Sequence, residues 1–213
     1  MRWDVELFRA INGLAGQSPL IDAFMLGLGH PSNLVLPLVL VLAYWVWTDR
    51  REAVIGAVSL AALFLFSDFL GAQIKHWVAR PRPCRMLESV HQLAGCGGTY
   101  GFPSNHAMNT AAAAACAHVL YPMTGWVTWP LVVLIGFSRI YVGGHFVTDL
   151  LGGWVLGILL GGGAGVLLSR WRGFRAAGQA GRARGDAPRS TDSSHSGSPR
   201  HGHTASPSES SDA

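Results

Sequence analysis

His145 and Asp149 stand four residues apart at the head of a long apolar run, Phe146 to Leu168. On a helix that spacing puts both side chains on one face. A carboxylate so placed can accept the imidazole Nδ1 proton and leave Nε2 free to attack, the orienting logic of a catalytic triad. Such a pair alone is more often structural, so its neighbours matter. Lys75, Arg82 and Arg139 offer three cations at the ends of apolar runs, and the planar fork of arginine matches phosphate oxygens. Ser104 adds a hydroxyl, and a helix beginning near Asn105 presents unpaired backbone N–H groups that suit an anion. Together these donors could hold a phosphoryl group and stabilise the charge of its transfer. His106, on another helix end, can carry a proton to a leaving oxygen. The two histidines then need opposite starting protonation states. Asp68, inside an apolar run, is read as a hydrogen-bonding partner within a bundle rather than a participant in chemistry.

The elements that must position these residues follow from composition. Of 213 residues, 49% are hydrophobic and only 13% charged, against about 25% charged in a soluble domain. The net charge of +4 does not point to nucleic acid, because much of the excess sits in the tail and at the ends of apolar runs, where the positive-inside rule puts it. Five runs approach the length needed to cross a membrane: Leu34–Trp47, Ala53–Gln73, His106–Tyr121, Gly125–Val142 and Phe146–Leu168. The fold class is therefore all-α, an integral membrane bundle of five to six transmembrane helices with a disordered C-terminal tail. Residues 1–30 read as interfacial or half-inserted helices, with Val5, Leu7, Phe8, Ile11 and Leu14 on a loosely amphipathic face. Residues 31–170 form the membrane domain, and 171–213 a polar tail rich in Ser, Gly, Pro, Arg and His. The tail histidines His195, His201 and His203 read as solvated rather than metal-binding.

Arg50 and Arg51, and Arg170, Arg172 and Arg175, should face the cytoplasm. Alternating the spans then brings Lys75–Pro103, Ser138–Arg139 and His145–Asp149 to one opposite, outer face. Cys84 and Cys96 lie in the outer loop, where an oxidising compartment favours a disulfide between them. Cys116, within a span, reads as a buried free thiol. Gly153, Gly157, Gly161 and Gly165 form a ladder that allows close helix approach. It could serve a homodimer, although packing inside the bundle is favoured. A fourfold step drifts around a helix of 3.6 residues per turn, so the glycines nearest Asp149 should share its face best.

The combination Lys75–x6–Arg82-Pro83, Pro103-Ser104-Asn105-His106 and Ser138-Arg139–x5–His145–x3–Asp149 resembles the three-part signature of the type 2 phosphatidic acid phosphatase family, over about Ala53 to Leu168. One departure is Asn105, where family members commonly have glycine. The resemblance implies a metal-free, cofactor-free phosphatase. In it His145 attacks phosphorus, His106 protonates the leaving group, and Lys75, Arg82, Ser104, Asn105 (through its backbone) and Arg139 hold the phosphate. It implies a lipid-linked phosphate as substrate, undecaprenyl diphosphate first, at a bacterial inner membrane with the site outward and the tail cytoplasmic. Phosphatidylglycerol phosphate, phosphatidic acid and lipid A phosphate are alternatives, as is phosphotransfer to a lipid acceptor. A proton-coupled transporter is the reading from another class; it leaves Lys75, Arg82, Ser104 and Arg139 without a shared purpose.

Overall fold

The structure, a computed structural model, describes residues 2–30, 39, 42, 43 and 45–185, with side chains to Phe174. The expected span Leu34–Trp47 falls mostly outside the described residues. The described chain forms α1 (Arg2–Asn12), α2 (Pro19–Leu28), α3 (Arg50–Val78), α4 (Pro83–Met86), α5 (Asn105–Leu120), α6 (Gly125–Tyr141) and α7 (Val147–Gly185), with a 3₁₀ turn at Pro122–Thr124. Among the described residues, three stretches are long and apolar enough to cross a membrane: Arg50–Val78, Pro122–Tyr141 and Val147–Phe174. Their outward residues, among them Leu65, Phe66, Phe69, Val133, Val155 and Leu159, are exposed. A continuous coat of this kind is costly in water and at home in lipid.

Each helix has a local cause. At the start of α3 the Asp49 side chain accepts the Glu52 N–H at 3.0 Å, which satisfies one of the orphan donors of a helix start. At its end Ala79 adopts a left-handed backbone, φ 49°, with its N–H bonded to the Lys75 carbonyl. That turn sends the chain back over the helix end, into Arg80-Pro81-Arg82-Pro83. There a short antiparallel contact pairs Pro81 with Tyr100, flanked by Arg82 N–H to Thr99 O at 3.3 Å and Gly101 N–H to Arg80 O at 2.8 Å. The expected disulfide Cys84–Cys96 is present, with Cα atoms 5.8 Å apart. Ladder and disulfide together brace the segment that bears Arg80 and Arg82.

α5 is 16 residues long, about 24 Å of helix against a hydrocarbon core of about 30 Å. It is shorter than the sequence reading of a full span implies. Its alanines Ala107, Ala111, Ala112, Ala114 and Ala115 are buried, and it packs against α3 and α6. Against α7 it goes further. A Cβ at Gly153 would lie 2.7 Å from the Ser104 carbonyl oxygen, at Gly157 2.2 Å from that of Met108, at Gly161 1.9 Å from that of Ala112, and at Gly165 3.2 Å from that of Cys116. Two four-residue ridges thus lie face to face, and the expected drift does not carry the later glycines away. The ladder packs against α5 within the chain, the use favoured from the sequence, and backbone fills its close-approach surface.

α1 also departs from the sequence reading. Leu7 and Leu14 of the apolar face are 46% and 50% exposed, whereas the polar Asp4 and Asn12 are buried beside Phe8. The reason is that their polar atoms are bonded to the bundle. α7 runs through Trp171, where the polar tail was expected to begin, to Gly185; residues 186–213 lie outside the described residues.

Candidate active site

The C-terminal ends of α3 and α6 meet the N-terminal ends of α5 and α7, as alternating spans require. Hydrogen bonds between these ends make the shared face a structural fact. At the other end, Arg172 of α7 pairs with Glu52 of α3 at 2.5 Å and donates to the Tyr121 hydroxyl at 3.2 Å.

His145 occupies the turn between α6 and α7 and is only 4% exposed. Its Nε2 lies 3.2 Å from a terminal nitrogen of Arg82, which also donates to the Gly144 carbonyl at 3.1 Å. An arginine nitrogen only donates. Nε2 must therefore be the unprotonated nitrogen, and the ring proton sits on Nδ1. Nδ1 faces Asp149 Oδ2 at 3.5 Å. That is a contact longer than a formed hydrogen bond, and Nδ1 has no hydrogen-bond partner. Burial pushes the His145 pKa down to about 4; Asp149 opposes this, and the charges of Arg82 and Lys75 add to it. The imidazole is neutral at pH 7, as a nucleophile must be.

Asp149 is fully buried. Its Oδ2 accepts the Phe146 N–H at 3.0 Å, closing the first turn of α7, and its Oδ1 accepts from Arg80 at 2.9 Å. Its backbone carbonyl accepts the Ser104 N–H at 3.0 Å, which ties the start of α5 to α7. The Ser104 hydroxyl is buried and has no partner. Lys75 reaches across from α3, donating to the Pro103 carbonyl at 2.6 Å and to Asn105 Oδ1.

Arg139 is 8% exposed and bonds Ser138 Oγ at 3.3 Å. A Cβ on Gly29 would fall 1.4 Å from its guanidinium nitrogen. The Gly29 carbonyl in turn accepts from His106 Nε2 at 3.3 Å. His106 and Arg139 thus converge on the end of α2. His106 and His145 do not touch.

All eight residues expected at the site fall at this one end of the bundle. Asn105 has a second task, because its side chain turns to α3. It accepts from Lys75 and donates to Asp68 at 3.0 Å, while Asp68 also accepts from Asn109 at 2.9 Å. Asp68 is thus a bundle partner, as read. Gly71 leaves the room, since a Cβ there would meet Asn105 Oδ1 at 2.9 Å. Sequence reasoning missed Asp4, Asn12, Gly29, Arg80 and Thr148. Arg80 stood in a motif already noted. Asp4 and Asn12 were legible only as a stripe with Phe8 at four-residue spacing. Among the described residues no three His, Cys, Asp or Glu side chains gather as a metal site.

Fold and site define a class: a multi-pass membrane protein, helical over its described residues, whose buried histidine sits between Arg82 and Asp149 at one end of the bundle. Residues 52–173 match the model of the PAP2 superfamily, and the chain belongs to that family. It is similar to undecaprenyl-diphosphatase BcrC of Bacillus subtilis, 32% identical over 161 residues, covering 73% of this chain and 79% of the relative. It is also similar to the lipid A 4'-phosphatase of Porphyromonas gingivalis, 30% identical over 165 residues, with 73% and 69% covered. Among solved structures it resembles the crystal structure of a transmembrane PAP2 type phosphatidylglycerolphosphate phosphatase from Bacillus subtilis. The TM-score is 0.61 at 25% identity, over 79% of this chain and 86% of that one. The protein is a membrane lipid phosphatase of the PAP2 type.

Proposed function

We propose that the protein hydrolyses undecaprenyl diphosphate to undecaprenyl phosphate and phosphate, at the outer face of a bacterial inner membrane and through a phosphohistidine at His145. One observation carries the mechanism: His145 presents an unprotonated Nε2 beside Arg82, with Asp149 behind Nδ1. A substrate phosphate takes the place of Nε2 as acceptor for Arg82. Nε2 then attacks phosphorus, the bond to the leaving oxygen breaks, and His106 gives that oxygen a proton. In the second step His106 takes a proton from water, whose oxygen displaces His145 and releases phosphate. Asp149 stabilises the imidazolium character that develops on His145. Lys75, Arg82, Arg139, the free Ser104 hydroxyl and the N–H groups at the start of α5 hold the phosphoryl oxygens.

The choice of lipid rests on the 32% identity to an undecaprenyl-diphosphatase. Relatives named for lipid A and phosphatidylglycerophosphate stand close behind, so the test is a panel. Purified protein in detergent and chelator is offered undecaprenyl diphosphate, phosphatidylglycerol phosphate, phosphatidic acid and lipid A. The highest kcat/KM is expected for undecaprenyl diphosphate, with free phosphate as product. A higher value for another lipid reassigns the substrate. Label appearing in an acceptor lipid instead of free phosphate makes the reaction a transfer.

A further inference from the structure

α1 lies outside the matched region 52–173, yet it is bonded to three site-bearing segments. Asp4 is fully buried. Its Oδ2 accepts from Arg80 at 2.6 Å and from the Thr148 hydroxyl at 2.6 Å, and its Oδ1 accepts the Thr148 N–H at 3.1 Å. Thr148 is the second residue of α7, so Asp4 caps from outside the helix that carries Asp149. At the other end of α1, Asn12 Nδ2 donates to the Tyr141 carbonyl at 2.8 Å and to the His91 carbonyl at 2.9 Å, and Asn12 Oδ1 accepts the His91 N–H at 2.9 Å. That end holds the turn leading into His145.

Arg80 is the shared piece. One terminal nitrogen is taken by Asp4; the other serves Asp149 Oδ1 at 2.9 Å and the Thr148 hydroxyl. Its guanidinium carbon lies 4.4 Å from the centroid of the Phe146 ring. An arginine fork facing one carboxylate tends to engage both of its oxygens. Here it cannot, because Asp4 holds the second arm.

We infer that Asp4 is a positioning residue of the phosphatase reaction, acting through Arg80 to keep Asp149 Oδ2 turned to His145. This rests on the reading of His145 as nucleophile. Without the Asp4 charge, Arg80 closes on both oxygens of Asp149 and draws the carboxylate from the imidazole. The groups facing His145 are Asp149 from α7, Arg82 from the loop and the charge of Lys75 from α3; those facing Asp4 are Arg80 and Thr148. Of these, Asp149 alone favours the imidazolium form of His145. Loosening it lowers the basicity of Nε2.

The test is Asp4→Asn in the full-length protein in detergent, assayed on the panel lipid that wild type turns over fastest. Residues that orient a reacting group through an intermediary typically cost 10–100-fold when lost, by analogy with the outer shell of metal sites. We expect kcat to fall roughly 10-fold with KM held within about twofold, and the acid limb of kcat/KM to move to lower pH. Thr148→Val removes one anchor of Asp4 without changing charge and should show the same pattern at about threefold; it carries the test if Asp4→Asn does not fold. A folded variant with wild-type kcat and acid limb overturns the inference. So does a loss of activity that tracks the thermal midpoint while the limb stays fixed. Activity retained by His145→Ala overturns the nucleophile reading, and the inference with it.

Discussion

Ser104 is a buried hydroxyl with nothing to bond. An unpaired polar group in that position costs about 1–3 kcal/mol, which a folded chain tolerates best where a ligand supplies the partner. Ser104→Ala should therefore lower kcat/KM by about 10²-fold and leave the thermal midpoint unchanged or raised. A fall in both together would make Ser104 structural. For His145 the sign runs through protonation. The nucleophile is competent above its own pKa, so activity should be full at neutral pH and lost as pH falls through about 4. Stability follows the same group. The unfolded chain, with an ordinary histidine near 6.5, binds the proton more readily, so stability declines as pH drops below about 6.5 towards 4. His145→Ala should remove that contribution and cut turnover by at least about 10³-fold; phosphate release and thermal unfolding at pH 5 and pH 7 read both.

At the scale of elements, two devices position the site. The first is the meeting of α5 and α7, where glycine lets one helix rest on the carbonyls of the other. Gly161→Val places its side chain against the backbone of Ala112, which cannot retreat as a flexible side chain would. The expected cost is about 1–3 kcal/mol, with activity lost in parallel because Ser104 and Asp149 are joined across the same interface. Unfolding in detergent checks this, and an unchanged midpoint would mean that the helices can separate freely. The second device is the braced loop. The Cys84–Cys96 bridge closes a loop with a sequence separation of 12. In the chain-entropy model such a bridge contributes about 3 kcal/mol. Reductant should lower the midpoint of wild type and leave that of Cys84→Ser unaffected.

At the scale of the molecule, the polar chemistry gathers at one end of the apolar bundle and the Glu52–Arg172–Tyr121 contact lies at the other. If the site end faces outward, the two ends differ in access from outside the cell. In a Cys116→Ser background, Gln92→Cys should react with an impermeant thiol reagent on intact cells, and Gly173→Cys only after permeabilisation. The reverse pattern would turn the site to the cytoplasm. Three of the five expected crossing helices, the common end of the three motifs and the disulfide were legible in the chain. They follow from hydrophobic length, charge at run ends and residue spacing, which are local quantities. Contacts between segments distant in sequence were not legible. The use of Gly153 to Gly165 against α5 depends on which helix lies opposite. The burial of Asp4 depends on Arg80, 76 residues away, and on Thr148, 144 residues away; a short polar-and-apolar helix with no visible partner reads as interfacial. Residue types and spacings thus carry the chemistry, because a phosphoryl site needs particular groups at particular helix ends. How Arg80 divides itself between Asp4 and Asp149 emerges with packing, because hydrogen-bond geometry exists once the separate segments have met.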